Sequence, residues 1–251
     1  MIDNNIYQSI IKKKEQGLKQ IAILLDPDKL DKRTLVETID KVEESNIDFI
    51  FVGGSLMVTE NFNDCLTEIK IRTKKPVVIF PGSPLQVNKQ ADAILLLSLI
   101  SGRNPEFLIG QHVIAAPALR KSRLEIIPTG YILVDSGRQT TASYISNTTP
   151  LPHDKGDVAA CTALAGEMLG LKLIYLDGGS GALMGVSEKM IKEVRKTINI
   201  PIIVGGGIKT AKQAEEACFA GADLIVVGNA FEENNNLIKE ISEAVHQTIC
   251  S

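Results

Sequence analysis

The sequence is poor in the residues that build zinc sites and disulfide frameworks. It has no tryptophan, three histidines and four cysteines in 251 residues. The cysteines, Cys65, Cys161, Cys218 and Cys250, lie far apart and form neither a CxxC pair nor a zinc-like spacing with the histidines. We therefore expect reduced thiols in a cytoplasmic protein, and neither a zinc site nor a secreted disulfide scaffold.

A strong net charge and long apolar runs are also absent. The formal net charge of −3 gives no electrostatic reason to expect a nucleic-acid partner. No apolar run reaches the length that spans a membrane. The basic run 12–14 is followed by polar residues, unlike a secretory signal. These features predict a soluble protein and leave a peripheral membrane contact open.

Eight short apolar runs recur along the chain, separated by helical segments. They are Ile21–Leu25, Phe49–Val52, Val77–Phe80, Ala93–Leu97, Tyr131–Val134, Leu173–Leu176, Ile202–Val204 and Leu224–Val227. Each is apolar on both faces, which is typical of parallel strands covered by helices. Eight such runs favour an α/β fold of the (β/α)₈ TIM-barrel type over an open sheet, with residues 1–251 forming a single domain.

Local signals place several boundaries in this barrel. Thr210 and Ser187 are expected to cap the helices 211–220 and 188–197. Between residues 80 and 93, two prolines and a glycine leave too little chain for an ordinary helix. The third helix is therefore predicted to be reduced or missing. Asp48, Asp92 and Asp223 each precede an aliphatic run and are interpreted as turn or cap residues.

Glycine-rich turns after three of the strands give the strongest functional signal. They comprise Tyr175, Leu176, Asp177, Gly178, Gly179, Ser180 and Gly181, then Gly205, Gly206 and Gly207, then Gly228 and Asn229. Glycine lets backbone N–H groups approach phosphate oxygens closely. Barrels commonly bind phosphate after strands seven and eight. One glycine pair could be only a tight turn, but three at one end of the barrel predict a phosphate site.

Three polar residues at strand ends could carry chemistry. Asp26 could hold Mg²⁺ together with substrate phosphates, or it could only form the turn at Pro27. Ser55 could add a hydroxyl ligand or cap a helix, and Asp28 is expected to cap the helix after the first strand. Asp177 could accept a proton from a substrate hydroxyl, or it could only fix the glycine turn.

Taken together, the motifs LLDPDK, FVGGS, IFPGSP, YLDGGSGA, VGGGI and VGNAF resemble the geranylgeranylglyceryl phosphate synthase family. The resemblance covers nearly the whole chain, in order. It is nearer to the archaeal and Bacteroidetes branch than to the Gram-positive heptaprenyl branch. That second branch carries a lysine two positions before the metal aspartate, where this chain has Leu24.

The resemblance implies a specific reaction. The family joins sn-glycerol 1-phosphate to a polyprenyl diphosphate through an ether bond. Resemblance to the archaeal and Bacteroidetes branch implies geranylgeranyl diphosphate as the prenyl substrate here. The family uses Mg²⁺, a barrel with an altered third helix, and a homo-oligomer that is either a dimer or a hexamer. The gap left by that helix is our hypothesis for the path of the prenyl tail.

By the same resemblance, Asp26 and Ser55 match the magnesium positions. Residues 175–181 match the glycerol phosphate site together with Gly206, Gly207, Gly228 and Asn229. Asp177 is then the catalytic base, where many members carry glutamate. Two alternatives stay open: a phosphosugar isomerase or lyase of the histidine or tryptophan biosynthesis type, and a non-catalytic phosphate-binding barrel.

Overall fold

The structure is a computed structural model that describes residues 5–228 and 237–248. Eight parallel strands pair in chain order and close into a barrel. The strands are β1 Gln20–Leu25, β2 Phe49–Val52, β3 Val77–Ile79, β4 Ala93–Leu99, β5 Glu125–Leu133, β6 Leu173–Asp177, β7 Ile202–Gly205 and β8 Leu224–Val227. The barrel predicted from the eight apolar runs is confirmed.

Helices cover the outside of the barrel and its N-terminal end. They are α1 Ile6–Glu15, α2 Lys32–Glu44, α3 Phe62–Arg72, α4 Gln111–Ser122, α5 Thr141–Ser146, α6 Gly156–Met168, α7 Glu188–Thr197, α8 Ala211–Ala220 and α9 Leu237–Gln247. A π-helical turn, Glu106–Gly110, leads into α4. Among the described helices, none is both long and apolar enough to cross a bilayer.

Two predicted helix caps are confirmed. The Thr210 side chain accepts a hydrogen bond from the Gln213 N–H at the start of α8. Ser187 does the same for the Met190 N–H at the start of α7. Both hydroxyls satisfy a backbone donor that the first helical turn leaves unpaired.

The predicted fifth strand began too late. β5 starts at Glu125, six residues before Tyr131, and it contains Pro128 and Gly130. Proline and glycine weaken a strand pattern in the sequence. Here pairing with the whole length of β4, from Ala93 opposite Glu125 onward, keeps this segment extended.

Side chains fill the barrel from end to end. An inner core of strand residues, such as Phe51 and Leu95, is joined at the bottom by Ile6 and Ile10 of α1. The Glu125 carboxylate accepts hydrogen bonds from the first N–H groups of α1, which fixes this helix below the strands. The opening for a ligand is therefore the other end, where the strands reach their C-terminal residues.

The three aspartates before strands bridge neighbouring strands and do not cap helices. Asp48, Asp92 and Asp223 accept backbone N–H groups from β1, β3 and β7 at 2.9, 2.8 and 2.9 Å. Each also pairs with a cation on a packed helix. The expected structural role is confirmed, but the partner lies on the adjacent strand, because parallel pairing brings consecutive strand starts together.

The segment between β3 and β4 contains turns and no helix, and residues 80–92 are all described. The predicted loss of the third barrel helix is thus confirmed. Gln86 holds the segment by accepting the Gly82 N–H at 2.5 Å. In place of a third helix, this turn segment and α4 lie beside β4.

Candidate active site

Asp177 is the last residue of β6 and lies buried at the top of the barrel. Its Oδ2 accepts a hydrogen bond from the Tyr131 hydroxyl at 2.5 Å, and its Oδ1 accepts the Gly179 N–H at 2.8 Å. Tyr131 projects inward from β5, the strand that pairs with β6. The carboxylate is therefore oriented by both its own turn and the neighbouring strand.

Burial sets the acid–base character of this group. It raises the pKa of Asp177, and the hydrogen bonds from Tyr131 and Gly179 offset part of that rise. Burial and the nearby Asp177 charge raise the pKa of Tyr131 and of Tyr175 far above the usual range. Both phenols stay protonated at neutral pH, so Tyr131 acts as a hydrogen-bond donor. An elevated carboxyl pKa suits a proton acceptor.

The turns after β6 and β7 pack directly on each other. Gly206 has φ +75°, and a Cβ there would lie 2.5 Å from Asp177 Oδ1 and 2.6 Å from the Gly178 nitrogen. The Gly178 N–H donates to the Gly205 carbonyl at 3.1 Å. Only glycine permits this approach, so residues 178–181 and 205–207 form one continuous backbone surface beside Asp177. Such a surface suits a phosphate group.

The other predicted phosphate-site residues are distributed around this surface. Tyr175 points inward, and a Cβ on Gly205 would lie 2.3 Å from its hydroxyl, so the phenol supports the β7 turn from below. The Leu176 side chain points outward into the core under the helices. Gly228 follows β8, next to β7 in the barrel. Asn229 lies outside the described residues.

Asp26 follows β1, and its carboxylate lies against the turn after β2. Its side chain is 20% exposed, and its Oδ1 accepts the Asp28 N–H at 3.2 Å. A Cβ on Gly54 would lie 3.1 Å from Oδ1, so glycine leaves this face of the carboxylate open. Ser55 is the next residue. The two predicted metal positions therefore sit on neighbouring strand ends.

The cap predicted at Asp28 was wrong, and the alternative that Ser55 caps a helix is excluded. α2 is capped by Asp31, whose side chain accepts the Thr34 N–H. Asp28 instead accepts hydrogen bonds from the Val58 and Thr59 N–H groups, which ties the loop after β2 to the loop after β1. Asn61, and not Ser55, occupies the position before α3. Sequence spacing alone cannot distinguish a local cap from a hydrogen bond across loops.

A basic side chain that the motifs did not single out joins the two halves of the site. The Lys29 ammonium lies 3.1 Å from Asp26 Oδ2 and 3.3 Å from the Ser180 hydroxyl. At the next residue of the same turn, the Arg138 guanidinium lies 3.8 Å from a Cβ placed on Gly181. The only sequence signal for Lys29 is its place in the DPDK turn.

An apolar cavity opens beside Asp177. It encloses about 830 Å³ of space, including its open mouth. Segment 80–87, β4, α4 and α5 line it, so it occupies the side of the barrel where the third helix is missing. Ser55 and Tyr131 lie in its wall. Because the Tyr131 hydroxyl also contacts Asp177, the cavity and the glycine turns meet at one residue.

Comparison with known proteins identifies the family. A model described as the PcrB family matches residues 10–245. This chain belongs to the PcrB family. A relative from Chitinophaga pinensis, named geranylgeranylglyceryl phosphate synthase, is 54% identical over 97% of this chain and 96% of its own length. A protein of the same name from Methanosphaera stadtmanae is 38% identical over 89% of this chain and 92% of its own length.

A solved structure supports the same PcrB-family assignment. It is the (S)-3-O-geranylgeranylglyceryl phosphate synthase of Thermoplasma acidophilum in complex with substrate sn-glycerol-1-phosphate. It matches this chain with a TM-score of 0.91 at 31% identity, covering 97% of this chain and 99% of that one. The resemblance expected from the motifs is thus confirmed.

Proposed function

We propose that this chain is a prenyltransferase that joins sn-glycerol 1-phosphate to geranylgeranyl diphosphate through an ether bond and releases diphosphate. One observation carries the proposal. Tyr131 donates a hydrogen bond to Asp177 at 2.5 Å, while its ring lines the apolar cavity. A site for a phosphate ester and a channel for a hydrocarbon therefore share one wall. The names of the relatives and the substrate in the Thermoplasma acidophilum structure support the same reaction.

Glycerol phosphate is proposed to bind on the backbone surface of residues 178–181 and 205–207, next to Gly228 after the adjacent strand β8. Asn229 belongs to the expected site and lies outside the described residues. Ser180 offers a hydroxyl. Gly179, Gly206 and Gly207 have the positive φ angles that glycine adopts readily, and they present no side chain to a ligand. The phosphate is the anchor that holds a glycerol hydroxyl near Asp177. Holding the nucleophile in place removes much of the entropic barrier to a two-substrate reaction.

Asp177 is the proposed general base. As the glycerol oxygen bonds to C1 of the prenyl group, the bond from C1 to the diphosphate oxygen breaks and diphosphate leaves. The hydroxyl proton passes to Asp177. Tyr131 keeps the carboxylate oriented throughout, because its own proton is held by a strongly raised pKa. Aspartate in place of the longer glutamate requires the hydroxyl to sit one methylene closer to β6.

The donors at Asp26 fit a magnesium ion. They are oxygen atoms, the carboxylate is partly exposed, and Gly54 leaves its open face clear toward Ser55. Asp26 and Ser55 would hold the ion, with diphosphate and water oxygens as its other ligands. Bound there, Mg²⁺ would offset the charge of the diphosphate and make it a better leaving group.

The prenyl tail is proposed to run from Tyr131 into the cavity beside β4 and α4. Its wall is mostly apolar, so burying the tail releases ordered water and favours binding by roughly 25 cal/mol per Å² of apolar surface. The proposal also includes a cytoplasmic homo-oligomer, a dimer or a hexamer, and a peripheral membrane contact. These three points rest on composition and family resemblance.

The test is product formation. The protein is incubated with labelled sn-glycerol 1-phosphate, Mg²⁺ and prenyl diphosphates of several lengths, with sn-glycerol 3-phosphate as the stereochemical control. We expect a prenyl ether and one diphosphate per ether from the sn-1 isomer, and more of both with the twenty-carbon substrate than with the others. If folded protein forms no ether with a prenyl diphosphate of any length, the transferase proposal is wrong and the isomerase or lyase alternative is favoured.

A further inference from the structure

Two basic side chains from different loops lie near adjacent residues of the turn that is proposed to bind phosphate. Lys29 comes from the turn after β1, and its ammonium reaches the Ser180 hydroxyl at 3.3 Å. Arg138 comes from the loop after β5, and its guanidinium lies beside Gly181. We propose that Lys29 and Arg138 form a two-cation clamp that binds a phosphate oxyanion at the Ser180–Gly181 turn. This inference rests on the proposed function and adds two positioning residues to it.

The backbone holds both cations in place. The Lys29 N–H donates to the Asp26 carbonyl at 3.0 Å, which closes a tight turn and directs the lysine across the barrel top. The loop that carries Arg138 is tied to the other end of the phosphate turn, because the Ser136 carbonyl accepts the Leu183 and Met184 N–H groups. Thr140, on the same loop as Arg138, packs against Gly179 of the phosphate turn.

Electrostatics explains why the clamp is needed. A phosphate monoester carries nearly two negative charges at neutral pH and would lie beside the carboxylates of Asp177 and Asp26. Backbone N–H groups supply only partial positive charge. Without nearby cations, repulsion between the ligand and the two carboxylates would oppose binding. Lys29, 40% exposed and already paired with Asp26, can turn from that carboxylate to a ligand with little loss of hydration.

The experiment measures anion binding, not turnover. Lys29→Met and Arg138→Met remove the charges and keep an unbranched apolar stem, and Lys29→Arg is the conservative variant. Lys32→Met, an exposed lysine on α2, is the matched control. Calorimetry gives the Kd of each protein for sn-glycerol 1-phosphate without metal and for inorganic diphosphate with Mg²⁺. The two ligands distinguish which substrate the clamp serves.

Each Met variant at 29 and 138 is expected to weaken binding of at least one anion by roughly ten- to a hundredfold, while Lys29→Arg and Lys32→Met change it little. Added salt should weaken wild-type binding more steeply than binding by the variants, which a purely structural role would not produce. Unchanged Kd values for both anions in either Met variant overturn the clamp. So does a wild-type protein that binds neither anion.

The two proposals fail separately. If only the clamp proposal is wrong, the wild-type protein still forms the ether product, and the Met variants bind both anions as the wild type does. Anion binding that depends on both cations, without any ether product, supports the clamp and counts against the transferase. Circular dichroism and thermal melting of each variant confirm that a loss of binding does not come from unfolding.

Discussion

At the scale of single residues, the proposed reaction depends on one buried carboxylate, Asp177, and on the Tyr131 phenol that holds it. Asparagine at position 177 can keep the local geometry, since its oxygen can accept from Gly179 while its amide donates to the Tyr131 oxygen. It cannot accept a proton. We therefore expect Asp177→Asn to reduce turnover on the order of 10²–10⁴-fold and to leave the Kd for glycerol phosphate nearly unchanged. Exposed Asp154→Asn is the control, and undiminished turnover would remove Asp177 from the mechanism.

The hydrogen bond from Tyr131 predicts a change in pH dependence. It lowers the pKa of Asp177 against the larger effect of burial, so Tyr131→Phe should raise that pKa further. The base is active only when ionised, and activity falls as the pH drops through its pKa. The acid limb of kcat/KM should therefore move to higher pH in the variant. A profile of kcat/KM from acid to neutral pH measures it, and an identical acid limb in both proteins would contradict the assignment.

At the scale of elements, the contact between the β6 and β7 turns gives a matched pair of glycine substitutions. Gly206 and Gly170 have similar positive φ angles, but a Cβ meets Asp177 and Gly178 only at position 206. Both alanine variants carry the backbone strain, about 1 kcal/mol or more. Only Gly206→Ala should also weaken glycerol phosphate binding, by more than tenfold. Calorimetry and thermal melting of both variants separate the two effects.

The cavity wall predicts a change in the length of hydrocarbon that the enzyme accepts. Ala115 of α4 lines the cavity, while Val113 on the same helix is 66% exposed. Ala115→Phe should fill part of the channel and shift the preference toward shorter prenyl diphosphates, with little change in glycerol phosphate binding. Val113→Phe should leave the preference unchanged. Relative kcat/KM over several chain lengths measures the shift, and equal profiles would place the tail elsewhere.

The sequence predicts elements better than it predicts contacts between loops. Continuous apolar runs identify the strands, and the glycines after β6 and β7 mark the turns that are proposed to bind phosphate, because both signals are local. Lys29 and Arg138 lie far from Ser180 along the chain, and only the closed barrel brings them to one turn. Tyr131 stood at the edge of an apolar run; alternation along all of β5 would have placed it inside the barrel, but Pro128 and Gly130 obscured that pattern.

At the scale of the whole molecule, a charged cluster at the bottom of the barrel joins both ends of the described chain. Asp48, just before β2, pairs with Lys13 of α1 and with His246 of α9, the latter at 3.0 Å. It also accepts the Ile21 N–H of β1. The Asp48 carboxylate therefore connects α1, α9 and the starts of β1 and β2, at the end of the barrel opposite the candidate active site.

This cluster predicts a pH-dependent contribution to stability. Burial raises the pKa of Asp48, but the His246 and Lys13 hydrogen bonds outweigh it, so the pKa is lowered on folding. A lowered pKa stabilises the fold above the unfolded value, near 3.9, and the contribution is lost as pH falls through the folded value. Asp48→Asn should lower the unfolding free energy by about 1–3 kcal/mol at neutral pH. Urea unfolding measures it, exposed Asp40→Asn is the control, and a difference that persists unchanged in strong acid would contradict the charge-based explanation.

If the prenyl tail follows the proposed path, the missing helix between β3 and β4 separates lipid choice from catalysis. The turns at the strand ends, which the hydrogen bonds of the barrel fix, are proposed to bind the phosphate groups of the substrates. The prenyl tail is proposed to lie in the side cavity beside residues 80–87 and α4. A longer prenyl chain then needs a longer side cavity, and the barrel itself does not have to change. Remodelling this flank can therefore redirect the enzyme to other chain lengths while the reacting groups keep their positions.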